Sequence, residues 1–329
     1  MDDVRWFAPN RYCALPVSAM QSLGMRIAVS GDAPASISFA ADGQCAVEAY
    51  HHARRHRSTL VAYLWDLPPW RLANGKPDSV LEVGARLIRV PRLIGGYRER
   101  AGYYSRMRFV ARRAELVLCP SAQTAADLAS RFGVRARQLP FCYDSDRFNG
   151  GATVATPTND VPILLSISRL EPSKNHGGLL RAAALLGRPV TVRIVGRGSE
   201  AANLRRLACE LGITLQLDDA WASDDEIVAA YLEATVVVCP SRFEGFGLTP
   251  MEGLAMGRRV VASDIPTHRE FVGGRVELFD AASPADLARA LEASLAAPDP
   301  AIPAASPLPT LTIEAAAHRL YEAWLPRLA

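Results

Sequence analysis

Between residues 162 and 264 one pattern repeats: a short run of apolar residues, then a segment of helical length. The apolar runs are PILLSIS (162–168), VTVRIVG (190–196), ITLQL (213–217), TVVVCPS (235–241) and RRVVASD (258–264). Between them stand HGGLLRAAALLG (176–187), SEAANLRRLACELG (199–212), SDDEIVAAYLEA (223–234) and LTPMEGLAMG (248–257). Runs this short and this apolar are strands covered on both faces. Their alternation with helices requires βαβ units and a parallel sheet. The helix signals agree: Ser223 and Glu226 read as a capping box, Ser199 as a cap, Pro250 lies inside a first turn, and Gly212 and Gly257 follow last turns.

The first half carries the same alternation in weaker form. VRWFAP (4–9), RIAVSG (26–31), TLVAYLWDLP (59–68) and ELVLCPS (115–121) read as buried strands. CAVEAYHHARRHR (45–57) and TAADLASRFG (124–133) read as helices, the second starting at its Thr and stopping at Gly133. Residues 81–114 read as a basic helix in two pieces, broken near Pro91 and Gly95-Gly96. The Gly-, Thr- and Pro-rich stretch 148–162 lacks periodicity and reads as a linker. A chain of 329 residues has length for two domains at roughly 150 residues each. The expected division is an N-terminal domain over 1–150, a second over 151–311, and an amphipathic helix over 312–329. Both domains are Rossmann-like, with parallel sheets facing across a cleft. Ligands of such sheets lie at the carboxyl ends of the strands.

Composition narrows the class. The chain is 49% hydrophobic and 22% charged, as in soluble globular proteins. The stretch MDDVRW does not read as a secretory leader, so none is expected, and no run reaches the ~18 apolar residues of a membrane span. Cys13, Cys45, Cys119, Cys142, Cys209 and Cys239 form no C-x-x-C pair and read as small core residues in a reducing compartment. Charge is uneven: residues 1–150 hold 21 Lys and Arg against 13 Asp and Glu, and residues 151–329 hold 16 against 21. Nine arginines fall between Arg86 and Arg113, with Glu99 the one acid there. That excess points to an anionic partner for the first half. Only two lysines occur, Lys76 and Lys174. Against arginine as the default cation, a lysine marks either chance or a site for a compact point charge.

Two segments carry the chemistry. In SRFEGFGLTPMEGLAMG (241–257) a strand ends, a loop with Gly245 and Gly247 follows, and a helix begins. Free N–H groups and the positive dipole end at that start suit a diphosphate, and glycines let the backbone approach it. Glu244 and Glu252 bracket the turn; carboxylates there repel phosphate and suit sugar hydroxyls, or else are an exposed Glu and a capping Glu. In SISRLEPSKN (166–175) Arg169 and Lys174 follow another strand end. They form a clamp for a diphosphate and its departing charge, or a solvated basic loop. VGRGSE (195–200) carries Gly196 and Gly198 after a strand, by itself a weak turn signal.

These segments resemble glycosyltransferase family 4: E-G-F-G-L-x-x-x-E at 244–252, R-L-x-x-x-K at 169–174, G-x-G at 196–198, and P-x-x-R-E at 266–270. The match covers roughly residues 110–300, and residues 1–110 match in pattern only. The resemblance implies a GT-B fold and a retaining transferase of the nucleotide-sugar type. It implies that Glu244 meets the transferred sugar and that the amides of Gly245, Phe246, Gly247 and Leu248 line sugar and phosphates. Glu252 would hold the ribose hydroxyls, and Gly196 and Gly198 would belong to the donor site. His268 and Glu270 are read either as donor-site or as surface residues.

LWDLPPWRL (64–72) departs from the family. Trp65 stands where members often have His, and Asp66 remains. Asp66 is a candidate to orient or deprotonate an acceptor hydroxyl, or an Asx turn before two prolines. Trp65 and Trp70 either stack on a sugar or pack. The basic stretch 86–113, with Arg98, Arg100 and Arg106 among its cations, suits an anionic membrane surface or a diphosphate-lipid acceptor, or is a solvated helix. No motif supports nucleic acid. Asp144-Ser145-Asp146 reads as a turn, and His51, His52 and His56 as residues of a surface helix. No metal ligand set is expected, nor any cofactor beyond the nucleotide-sugar co-substrate. The expectation is metal-independent transfer of a hexose, with a slight lean to mannose, from a GDP- or UDP-sugar to a glycan or lipid-linked hydroxyl. That reaction would serve cell-surface polysaccharide or glycolipid synthesis, in the cytoplasm or on the cytoplasmic face of the inner membrane. The alternatives are a GT-B epimerase or hydrolase, and a non-catalytic module binding a glycan or lipid.

Overall fold

The computed structural model describes residues 2–67, 106–149, 160–220, 222–297 and 308–328. The chain forms two compact units: Met1–Cys142 with Thr310–Ala329, and Tyr143–Pro309.

Unit 1 runs β1 (Asp2–Phe7), α1 (Val17–Ser22), β2 (Ile27–Val29), β3 (Ala35–Ala40), α2 (Ala46–His56), β4 (Thr59–Tyr63), β5 (Leu116–Cys119), α3 (Ala122–Phe132) and β6 (Arg137–Gln138). Its sheet order is β2-β1-β3-β4-β5-β6, with every pair parallel. The order reverses between β1 and β3, so the carboxyl ends of those strands are its ligand position. Ser121, not Thr124, caps α3: its hydroxyl accepts from the Thr124 amide. Residues 106–111 are helical, with Met107, Val110 and Ala111 buried and Arg106, Arg108, Arg112 and Arg113 exposed.

Unit 2 runs β7 (Ile163–Ile167), α4 (His176–Leu185), β8 (Thr191–Val195), α5 (Ala201–Leu211), β9 (Thr214–Asp218), α6 (Asp224–Glu233), β10 (Val236–Cys239), α7 (Leu248–Ala255), β11 (Arg259–Ser263), α8 (Pro266–Val272), β12 (Glu277–Phe279) and α9 (Pro284–Ala296). The parallel order is β12-β11-β10-β7-β8-β9, the doubly wound Rossmann arrangement. Its reversal lies between β7 and β10. Leu164, Val192, Ile194, Val236, Val238 and Val261 fill the core beneath α4 and α9. The capping box of Ser223 and Glu226 is formed. The cap before α5 is Glu200, whose side chain makes no capping bond, so Ser199 does not serve.

The last helix, α10 (Ile313–Leu328), joins unit 1. Ala316, Leu320, Ala323 and Trp324 recur at helical spacing and are buried. Trp324 meets Phe39 and Trp6 at ring-centroid distances of 5.0 and 5.7 Å. Arg319 donates to the carbonyls of Pro140 and Phe141. Residues 143–149 pack in unit 2: Phe148 lies edge-on to Tyr231, and Arg147 pairs with Asp224. The compact units therefore part at Cys142, ahead of the expected 150, and the terminal helix is not a separate element.

All six cysteines are free. Cys209 is exposed, against the expectation of a core residue, because it lies on the outer face of α5. No helix among the described residues is long and apolar enough to cross a membrane.

Candidate active site

The site of unit 2 grows from the two strand ends at its topological reversal. β10 ends at Cys239, and the chain turns through Glu244 to Gly247 before α7. Gly247 has φ +79°, which an L side chain resists, and a Cβ there would meet the His268 ring at 3.2 Å. The turn opens the helix with the amides of Gly245, Gly247 and Leu248 unpartnered among the described residues. α7 lies close on the sheet because residue 253 is Gly; a Cβ would come within 3.0 Å of Val260. Thr249 donates to the Ile167 carbonyl at 2.9 Å, tying the start of α7 to the end of β7.

Lys174 and Glu244 meet here. Lys174 Nζ donates to Glu244 Oε1 at 2.6 Å, and both side chains are mostly covered. Burial alone would raise the Glu244 carboxyl, but the Lys174 charge and hydrogen bond, with Ser241 and His268, bring it below its ordinary value. The Thr267 hydroxyl holds the Glu244 carbonyl at 2.8 Å. His268 is buried, and its Nδ1–H donates to the Ser263 carbonyl at 2.8 Å. Burial keeps this ring neutral, so it belongs to the site's packing and not to the surface. Glu270 is exposed. Arg169 pairs with Glu171 at 2.9 Å and is 68% exposed, so its guanidinium is outside the Lys174–Glu244 pair.

Glu252 is deeper, 7% exposed on α7. Tyr231 Oη of α6 donates to its Oε2 at 2.7 Å. Burial first, and the Asp144 charge second, push the Glu252 carboxyl up to about 7, while the Tyr231 bond works the other way. Asp144 is buried in a turn where its Oδ1 accepts from the Arg147 amide. It belongs to the surroundings of Glu252 and not to a D-x-D pair.

Gly196 and Gly198 have a structural task. A Cβ on Gly196 would fall 1.9 Å from the Ser168 carbonyl oxygen, and one on Gly198 would fall 2.3 Å from that of Leu170. Leu170 N donates to the Arg197 carbonyl at 2.8 Å. The G-x-G segment thus lets the β8 end press against the loop carrying Arg169. The Phe246 side chain is buried against Phe271 at 4.8 Å, which leaves only its backbone for the loop's edge. The Leu248 side chain is half-buried.

In unit 1, Trp65 and Asp66 follow β4. Trp65 Nε1 donates to the Ala41 carbonyl at 2.8 Å, and its ring meets Phe141 at 4.8 Å. Asp42, which sequence reasoning missed, follows β3 at the β1–β3 reversal. Burial, with the Asp66 charge adding to it, pushes its carboxyl up to about 6. Arg106 is exposed, while Trp70, Arg98 and Arg100 lie outside the described residues. The histidine expectation is corrected: His52 is buried, its Nδ1 bonded to Ser38 Oγ at 2.7 Å and its Nε2 to the Ala33 carbonyl at 3.0 Å. Asp32, His52 and His56 bring one potential ligand atom each within 4.8 Å of one another. Arg55 and His56 already bond Asp32, and both ring nitrogens of His52 are committed.

Two parallel α/β units with this site define the GT-B class of fold. Anabaena HepE, solved with UDP and glucose, superposes with a TM-score of 0.70 at 16% identity, over 98% of this chain and 99% of that one. Sucrose-phosphate synthase of Thermosynechococcus elongatus gives 0.68 at 16%, over 100% and 96%. Residues 154–303 match the family described as Glycosyl transferases group 1. An MMP alpha-(1->4)-mannosyltransferase of Mycolicibacterium hassiacum is 30% identical over 198 residues, which is 56% of this chain and 46% of that protein. A D-inositol 3-phosphate glycosyltransferase of Geodermatophilus obscurus is 33% identical over 210 residues, 57% and 47%. The chain spans about half the length of these curated relatives.

Proposed function

We propose that this chain is a retaining glycosyltransferase that moves a hexosyl group from a nucleoside diphosphate sugar to a hydroxyl of a glycan or lipid-linked acceptor, without a resident metal. The observation that carries the reading is the Lys174–Glu244 pair at 2.6 Å, beside the amides of Gly245, Gly247 and Leu248, which have no partner among the described residues. It stands where a Rossmann sheet takes its ligand. The amides and Lys174 suit the diphosphate, with Arg169 within the same loop as a second cation. Glu244 suits hydroxyls of the transferred sugar, and Glu252 those of the ribose. The acceptor oxygen bonds to the anomeric carbon as the bond to the diphosphate oxygen breaks. The electron pair leaves with that oxygen, and the acceptor proton passes to it. Lys174 and the helix dipole stabilise the charge that builds there.

The mannosyl- and glycosyltransferase names among the relatives support a hexosyl donor. Asp66 and Asp42 are the acceptor-side carboxylates in unit 1, and Trp65 has an aromatic face suited to a sugar. Arg106 continues a basic stretch suited to an anionic membrane surface. The test is turnover: the purified chain with a lipid extract and each common UDP- or GDP-sugar releases nucleotide in an acceptor-dependent way. Nucleotide released at the same rate without acceptor would make it a hydrolase, and no release with any donor would leave a binding module.

A further inference from the structure

Glu252 faces an unusual demand on the reading above. A carboxylate that accepts from both hydroxyls of a ribose must be ionised, yet this one is 7% exposed. The groups around it are few. Tyr231 reaches it from α6, Asp144 from the 143–149 segment, and the Cys239 thiol from β10. Asp144 opposes its ionisation, with Arg147 at 3.7 Å drawing part of that charge away. The thiol is held neutral by burial. Among the described residues, Tyr231 is the one neighbour that gives the carboxylate a proton to accept, at 2.7 Å. Its ring is fully buried and meets Phe148 edge-on at 5.5 Å, so the hydroxyl has little freedom. The same hydroxyl lies 3.5 Å from the Thr249 carbonyl at the start of α7.

We propose that Tyr231 is the positioning residue of Glu252: its hydroxyl engages Oε2, turns the carboxylate plane, and holds it in the ionised, accepting form that a ribose diol requires. The inference rests on the proposed function, in which Glu252 meets the ribose. It adds that nucleotide affinity is set by the protonation of one carboxylate and that a residue out of reach of the nucleotide tunes it. A hydrogen bond to a charged acceptor shifts such an equilibrium by about one pH unit or more.

The experiment is calorimetric titration of the full chain with UDP and with GDP between pH 6 and 9. In the wild type, affinity climbs with pH through the Glu252 titration. In Tyr231→Phe, which keeps the ring and its packing, the climb moves at least about one unit to higher pH. Affinity near pH 7 falls about fivefold, as the ionised fraction drops from about a half to about a tenth, and recovers by pH 9. In a Glu252→Gln background the climb disappears, and adding Tyr231→Phe moves no midpoint. An unshifted midpoint in Tyr231→Phe overturns the inference, as does a loss of affinity equal at every pH, which marks a merely structural residue. Undiminished affinity in Glu252→Gln sinks the ribose role of Glu252. A wild type that binds neither nucleotide at any pH sinks the proposed function itself.

Discussion

Replacing Glu252 by Gln should change how unit 2 responds to pH, and the size follows from burial. The Glu252 carboxyl is pushed from an ordinary 4.5 up to about 7. At about 1.4 kcal/mol per pH unit, ionising it inside the fold costs roughly 3 kcal/mol relative to the unfolded chain. The sign is that of a raised pKa. The stability is fully present below the unfolded value, falls as pH rises toward about 7, and then levels off. The amide introduced by Glu252→Gln does not titrate, and its carbonyl still accepts from Tyr231. The stability difference between variant and wild type should therefore grow in the variant's favour by about 3 kcal/mol between pH 4.5 and 7.5. Native-state hydrogen exchange of the β7 and β10 amides reads unit 2 by itself. Comparing both proteins at each pH cancels the intrinsic exchange rates. A difference constant to within about 0.5 kcal/mol across that range would refute the claim that this carboxyl is desolvated.

Three further outcomes follow from the same geometry. Lys174→Ala leaves Glu244 covered and unpaired, so unit 2 loses about 3 kcal/mol at neutral pH, the loss shrinking as Glu244 protonates in acid, and turnover falls roughly 10²-fold. Equal stability of the two proteins in urea at pH 7 would show that the pair is dispensable to the fold. Gly198→Ala drives a Cβ to 2.3 Å from the Leu170 carbonyl oxygen at φ +157°, so the β8 end must part from the Arg169 loop. The expected cost is roughly 4 kcal/mol or more, read as a large drop in Tm, and an unchanged Tm contradicts the close approach. Asp42→Asn removes a carboxyl that titrates near 6. If it serves the acceptor hydroxyl, the acid limb of the wild-type kcat/KM profile is absent in the variant, and a retained limb assigns it to another group.

The parts legible in the sequence are those whose cause is local. β7, β8, β10 and β11 read as strands because apolar residues dominate each run, with Ser166, Thr191, Arg193, Arg259 and Ser263 as the polar exceptions. β3 escapes notice although it is central in unit 1. ASISFA is short and one-third polar, and Ser38 is tolerated inside because His52, fourteen residues away, bonds its hydroxyl. The same limit governs the site. Lys174 and Glu244 lie 70 residues apart and come together in the sequence only through a family pattern; spacing alone allows a solvated loop. Gly196 and Gly198 signal a close approach whose partner the sequence does not name. Glycine announces a close approach without saying whether phosphate or backbone approaches, and here it is the Ser168 and Leu170 carbonyls. Tyr231 gives no signal, since a Tyr on the inner face of an amphipathic helix reads as packing. Asp42 gives none either until the strand order places it at a reversal. A residue that acts on its chain neighbours can be read from those neighbours. A residue that sets the charge of another across two elements, as Tyr231 does for Glu252 in the inference above, is defined only once the sheet has brought those elements together.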